Sequence, residues 1–299
     1  MSIRLDPNLL PGLLASIQQS NQQLTVATQQ LSSGRSVNQL SDDPAAVASL
    51  VGNHNQASQD DQYLQSISTI QARFQVADSS LSSVVTALTS ALSLGVEGAN
   101  GTLTPANQQS VAAEVQGLIS QVQSLANTTF QGSYLFSGTA VNTPPFTINS
   151  VANTTTYNGN AGVTSVQLSN GNSVNGNVPG SQLFLNGSGS VFGALQGLNA
   201  ALLSGTNIPA AVTQIQNALN TVDTQRVFYG NVLNQVSQAE TFLNQDQINL
   251  STQENALIGV DPATAATNLA QATLANQSLL DASGRILSLP NLLSFLPNP

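Results

Sequence analysis

The sequence predicts an α+β protein: a long antiparallel helical bundle or coiled coil formed by both ends of the chain, with a small β domain inserted between them. Three observations carry this. Near the start, Leu10, Leu14, Ile17, Asn21, Leu24, Thr28 and Leu31 step by four and three. Near the end, Ala265, Leu269, Ala272, Asn276, Leu279, Ser283 and Ile286 do the same. Such spacing places each set on one seam of a helix, the surface that a coiled coil buries. Between the ends, no Asp, Glu, Lys or Arg occurs from Val115 to Val222.

The first helix runs within Ile3 to Gln39. Pro11 and Gly12 put its regular part from about Gly12 onward, and Ser32-Ser33-Gly34 breaks it. Asn21 and Thr28 occupy seam positions, where a polar residue lowers stability and fixes register. Ser41-Asp42-Asp43-Pro44 then opens a second helix. The Asp43 carboxylate can accept free backbone donors, and proline at the first helical position loses nothing by lacking its own. The apolar pattern continues through Val47, Leu50, His54, Ala57, Leu64, Ile67, Phe74, Leu81, Val84 and Leu88, until Gly95, Gly98 and Gly101 end the helix. Thr104-Pro105 restarts a helix by the same logic, with a seam of Val111, Val115, Leu118, Val122 and Leu125.

From Ser137 to Gly205 the character changes to short β-prone runs: Phe146-Thr147-Ile148, Val163 to Leu168 and Gln182 to Leu185. Asn158-Gly159 and Asn170-Gly171 are hairpin-turn signals. An uncharged β domain has few guards on its edge strands, so those edges are expected to be short, twisted or covered. A long helix returns from about Ala210 to Leu257, with Ile215, Leu219, Val222, Tyr229, Leu233, Val236, Leu243 and Leu250 on its seam. Asp261-Pro262 caps the last helix as Asp43-Pro44 caps the second. The order is palindromic. It divides the chain into a terminal coiled coil (1–42 with 261–299), a long-helix bundle (43–136 with 206–260) and the β insert (137–205).

The composition excludes several functions. Charged residues are 6% of the 299 and the net charge is −9, with five arginines and no lysine. Nucleic-acid binding needs cations to displace counterions, and anionic lipid needs a basic face. Neither is available, so neither nucleic acid nor membrane is an expected partner. No cysteine is present, which removes disulfides, thiolate nucleophiles and Cys-based metal sites. The N-terminus lacks the pattern of a secretory signal peptide, and no apolar run reads as long enough to span a bilayer.

Residues that could carry chemistry read as structural. His54 is the single histidine and has no second histidine for a metal or a triad. Asp42-Asp43 is explained by helix capping. Asp60-Asp61 lies mid-helix, where neighbours point to different faces. The glycine clusters are followed by no Gly-Lys-Ser/Thr, so a phosphate loop is absent. Arg226 stands at a seam position among apolar residues. An isolated buried cation is costly, so it should meet a carboxylate or carbonyls at an interface, or else snorkel from the seam edge. No catalytic residue, cofactor or metal is implied.

Leu31-Ser32-Ser33-Gly34-Arg35-Ser36-Val37-Asn38, followed by Ser41-Asp42-Asp43-Pro44-Ala45-Ala46, resembles the N-terminal signature of bacterial flagellins and their relatives. The stretch Val96 to Leu103 is similar to the segment after the first long helix of flagellins. Arg226, Gly230, Asn234, then Asp261-Pro262-Ala263 and Leu269 to Leu280, keep the flagellin-like order. Pro44 after the double Asp, Tyr134-Leu135-Phe136-Ser137-Gly138-Thr139, and the Leu/Phe-rich tail Ser288 to Leu296 resemble the hook-associated protein 3 branch of that family, the hook–filament junction proteins. Two features depart from the pattern: Pro11-Gly12 early in the first helix, and Leu92 to Gly98 without the arginine that flagellins place before their glutamate. Receptor recognition known for some flagellins is therefore not implied.

The resemblance implies a structural, non-enzymatic axial protein. It would be secreted through the flagellar export channel with a flagellar export chaperone, and would form a homo-oligomeric ring in contact with hook-associated protein 1 and flagellin. It also implies terminal segments that order only among neighbours. The residues expected at the assembly interface are Leu10, Leu14, Ile17, Leu24, Leu31, Leu269, Leu279 and Ile286. Asp43, Thr104 and Asp261 are the expected caps, and Arg226 the polar interface residue. Filament flagellin is the alternative. A surface hydrolase in the insert lacks any acid–base residue, and a glycan-binding insert would rest on Tyr157 and neutral amides.

Overall fold

Seven α-helices and six strands succeed one another in the computed structural model, which describes residues 9–101, 103–149 and 153–287, the side chains of 9, 10, 188, 286 and 287 aside. They are α1 (Leu9–Ser33), α2 (Pro44–Ala99), α3 (Pro105–Ala126), β1 (Thr129–Phe130), β2 (Ser133–Tyr134), β3 (Phe146–Asn149), β4 (Thr154–Tyr157), β5 (Ser165–Ser169), β6 (Asn172–Asn175), α4 (Gly180–Phe184), α5 (Val191–Ser204), α6 (Ile208–Ile258) and α7 (Pro262–Leu287). The chain divides into two compact units, one of residues 1–58 with 246–299 and one of residues 59–245. Helices α2 and α6 contribute to both.

The larger unit holds the main core. Phe74 of α2 packs on Tyr229 of α6 with ring centroids 4.9 Å apart. Leu81, Val84, Leu88 and Ala91 of α2 are buried with Val115, Ile119 and Val122 of α3. The buried stripe of α3 is Val111, Ala112, Val115, Ile119, Val122 and Ala126, while Leu118 and Leu125 are only partly covered. By length and composition α2 could cross a membrane, which corrects the sequence reading that no such run exists. In this fold its apolar face is the wall of the core.

Two of the three glycines expected to end α2 lie inside it. A side chain at Gly95 would come within 2.8 Å of Val212 Cγ2, and one at Gly98 would strike Leu202. These positions are small because α5 and the start of α6 approach the backbone there. The chain leaves the helix at Gly101, where φ is +66°. Likewise α1 is already helical at Leu9, earlier than Gly12. Pro11 falls in its first turn, where backbone donors have no helical acceptor anyway.

The insert is three separate antiparallel hairpins, β1–β2, β3–β4 and β5–β6, followed by helices. Its strands are two to five residues long, so no long edge is offered. Asn170-Gly171 is the two-residue loop between Ser169 and Asn172, with Gly171 at φ +80°. Asn158-Gly159 is no hairpin turn: it comes after β4, whose pairing with β3 closes earlier, at Asn149 and Thr154. The run Gln182 to Leu185, read as β-prone, lies mostly in α4. The next helix, α5, stands inside the stretch expected to be β; Ser190 caps its start by accepting from Gly193 N, and Gly205 ends it at φ +68°.

The few aromatic residues concentrate here. Phe146, Phe184 and Phe192 lie within 5.1 to 5.9 Å of one another, with Phe136 packed on Phe184 and Tyr157 on Phe146. Asn127, at the end of α3, clamps β3 by accepting from Phe146 N and donating to Phe146 O, both at 2.9 Å. The insert thus shares one hydrophobic core with α2, α3 and α6.

Candidate assembly surface

Helices α1 and α7 pack on each other. Arg35 bridges Gly259, and further back along α1 Ser20 meets Asn276, so the two helices run antiparallel. In α7 the inner face is Ala265, Leu269, Ala272, Asn276, Leu279 and Ser283, the heptad seam itself. In α1 it is Leu13, Ile17, Ser20, Leu24 and Ala27. Ile17 and Leu24 belong to the seam read from sequence; Leu14 and Leu31 turn outward, at 60% and 39% exposure. Leu13-Ile17-Ser20-Leu24-Ala27 obeys the same spacing. The signal that separates the two seams is size: Ser20 and Ala27 allow close approach to the alanines of α7. The side chains of Leu10 and Ile286, and the tail from Ser288, lie outside the described residues.

The coil carries a polar layer. Asn276, buried, donates to Asn21 Oδ1 at 2.7 Å and to Ser20 Oγ at 3.3 Å. An open groove of about 520 Å³ beside it is lined by Gln19, Gln23, Gln30, Asn268 and Gln271 around Val26 and Ala272. Leu274, Leu280 and Val26 are also half-exposed or more.

The segment between α1 and α2 is tied to the turn between α6 and α7. Ser36 N donates to Ile258 O, Val260 N donates to Gly34 O, and Arg35 Nη2 donates to Glu254 Oε1 at 2.9 Å. Gly34 adopts φ +67° to make this corner. His54 does not pack into a seam: its ring is mostly exposed, with Nε2 3.2 Å from Glu254 Oε2. Glu254 therefore gathers Arg35 and His54 on one carboxylate.

The capping residues sit at helix starts. Asp43 Oδ1 accepts from Ala45 N and Ala46 N at 3.0 Å, and Thr104 Oγ1 accepts from Asn107 N at 3.3 Å. Asp261 accepts from Ala263 N and from the Thr264 hydroxyl. Those bonds, the Thr264 hydroxyl first, hold its carboxyl below the ordinary aspartate value. The cap thus weakens only when pH falls through that lowered value. Asp42 Oδ2 accepts from Asn38 N and Gln39 N, folding the loop before α2.

Arg226 is satisfied within the chain. Its Nε and Nη2 donate to Asp78 Oδ1 and Oδ2 at 2.9 and 3.3 Å, and this bonding raises its guanidinium above the ordinary value. The pair is one-third exposed, so its worth is about 1 kcal/mol. The cation thus meets a carboxylate, as expected of its seam position, and that carboxylate belongs to its own chain. Tyr157 is likewise committed: its hydroxyl lies 3.0 Å from Phe136 O and 2.9 Å from Asn160 O. The Tyr134–Thr139 motif has a structural meaning too. Thr139 N donates to Asn160 Oδ1, and any side chain at Gly138 would strike the Asn160 carbonyl.

Both halves of this arrangement have counterparts. The bacterial flagellin N-terminal helical region matches residues 12–141, and the bacterial flagellin C-terminal helical region matches residues 212–296. Together they span most of the chain, which belongs to the bacterial flagellin family. Two curated relatives are more specific. Flagellar hook-associated protein 3 of Escherichia coli K12 is 36% identical over 119 residues, and that of Salmonella typhimurium 34% over 119. The aligned stretch is 40% of this chain and only 38% of either relative.

Solved structures agree in fold. A Vibrio parahaemolyticus chain described as a flagellar hook-associated protein superposes with a TM-score of 0.67 at 21% identity, over 73% of this chain and 100% of that one. Hook-associated protein-3 of Legionella pneumophila gives 0.63 at 15% identity, over 71% and 98%.

Proposed function

We propose that this chain is a structural protein of the bacterial flagellum that joins hook to filament. The observation that carries the reading is the thin α1–α7 coil. It pairs the two ends of the chain and leaves Leu14, Val26, Leu274 and Leu280 facing outward. Apolar residues on a helical face without a partner are suited to burial against further helices. The names of the two curated relatives favour the junction over the filament. On this reading copies form a ring, with hook-associated protein 1 on the hook side and flagellin on the other. The chain is exported with a flagellar chaperone and is not an enzyme. On the same reading 1–42 with 261–299 would serve the axial core, 43–136 with 206–260 the wall, and 137–205 the outer surface of the assembly. Leu10, Leu14, Ile17, Leu24, Leu31, Leu269, Leu279 and Ile286 would form or support the core interface.

The test is a clean deletion of the gene in its own strain, followed by electron microscopy. Hooks without filaments, restored by the wild-type copy, are the expected outcome. Filaments in the deletion strain would reject the junction role, and labelling along the whole filament would mean a filament flagellin.

A further inference from the structure

The arginines of this chain are not spread as solubilising charge. Among the described residues there are four: Arg35 bonds Glu254, Arg226 bonds Asp78, and Arg285 has an interaction of its own. Arg73 has neither a hydrogen bond nor an ion pair among the described residues. It lies in α2 beside Phe74, half-buried, at the edge of a small cavity lined by Tyr229, Leu135, Gly176 and Asn177. Burial pulls its guanidinium below the ordinary arginine value, the neighbouring Tyr229 acting the other way. Asp78, the next carboxylate along α2, is taken by Arg226. Arg73 has thus lost part of its hydration and gained no counter-charge among the described residues, an arrangement that disfavours the isolated fold.

The same unit carries the complementary groups. Glu97 and Glu114 are exposed and Glu240 is half-exposed, and none of them forms an ion pair among the described residues. Copies of a chain with net charge −9 repel one another, so a seam between them needs a cation at the point of closest approach. Among the described residues, the arginine without an ion-pair partner is Arg73. We propose that Arg73 of one copy pairs with Glu97, Glu114 or Glu240 of an adjacent copy, fixing the register between neighbours. This rests on the reading that copies assemble side by side in the flagellum. A charge-assisted bond formed only on assembly would favour the ring while leaving the monomer slightly less stable than it could be.

Charge exchange tests it in the deletion strain, scored by filaments per cell. R73E should reduce filamentation by about tenfold or more, as losing one partner of a desolvated pair does. R73E combined with one of E97R, E114R or E240R should restore it, and the other two combinations should not. Failure of all three to restore would overturn pairing between copies, as would normal filamentation with R73E alone. R73Q, melted as the purified monomer, separates assembly from folding. Its midpoint should equal or exceed that of the wild type, while its filamentation in cells falls; a lowered midpoint would assign Arg73 a role inside the chain and reject the proposal. If the deletion strain itself keeps its filaments, the junction reading has failed independently of Arg73.

Discussion

At the scale of single residues, legibility depends on how local the cause is. The carboxylate of Asp43 needs only the backbone N–H groups of Ala45 and Ala46, both supplied by the same stretch of chain, so an Asp before Pro reads directly as a helix start. Leu13 and Leu14 are the opposite case. Both lie on heptad seams that share Ile17 and Leu24, and the choice is made by α7, more than two hundred residues away. Identical side chains therefore end up in different environments. The contrast with α2 is measurable. Leu81 is fully buried, and Leu81→Ala should cost the monomer about 2–5 kcal/mol, because a cavity is left in a core that cannot collapse around it. Leu14→Ala should change monomer stability by less than about 0.5 kcal/mol, while reducing assembly. Chemical denaturation of both purified variants, beside filament counts, checks the pair. A large monomer loss for Leu14→Ala would mean that its outward face is covered within the chain.

At the scale of elements, the long helices are legible because their apolar period persists over many turns and their starts are marked by Pro. Their glycines mislead because glycine has two uses. Gly101 ends a helix through its positive φ, whereas Gly95 and Gly98 let another helix come close. Helix α4 is hidden because five residues are too few to show a period, whereas α5 is written in the sequence: Val191, Phe192, Leu195, Leu198 and Leu202 keep helical spacing between the Ser190 cap and Gly205. In the coil, the informative residue is Asn276. A buried amide bonded across to Ser20 and Asn21 admits one alignment and disfavours its neighbours. Counting one turn along each antiparallel helix from the Ser20–Asn276 bond puts Leu24 level with Ala272. Because the chain has no cysteine, introduced pairs report cleanly. Cysteines at 24 and 272 should crosslink in the wild-type background, and cysteines at 24 and 279 should not. Adding Asn276→Leu should let the second pair crosslink as well. If the crosslinks are unchanged, the amide does not set the register.

At the scale of the whole molecule, the two units are built from different material. The larger one buries Phe74, Phe136, Phe146, Phe184 and Phe192 completely. Among the described residues, the side chains buried in α1 are Ser20 and Ala27, and those in α7 are Ala265, Asn276 and Ser283. Ordering a helix costs roughly 1–2 kcal/mol per residue in backbone entropy. A seam of small and polar side chains returns little against that, so the coil should be the least protected part of the monomer. On the proposed function, the ends would respond to neighbours: apolar faces without cover in one chain would find it when chains meet, and premature association would be limited by the entropy still to be lost. Truncation after Ile258 removes α7 and isolates the effect. The core within residues 59–245 should keep its melting midpoint, the α1 amides should lose what hydrogen-exchange protection they have, and filaments should be absent from cells making only the truncated chain. Full protection of α1 in the intact monomer, or filaments formed without α7, would show that the ends are ordered by something other than their neighbours.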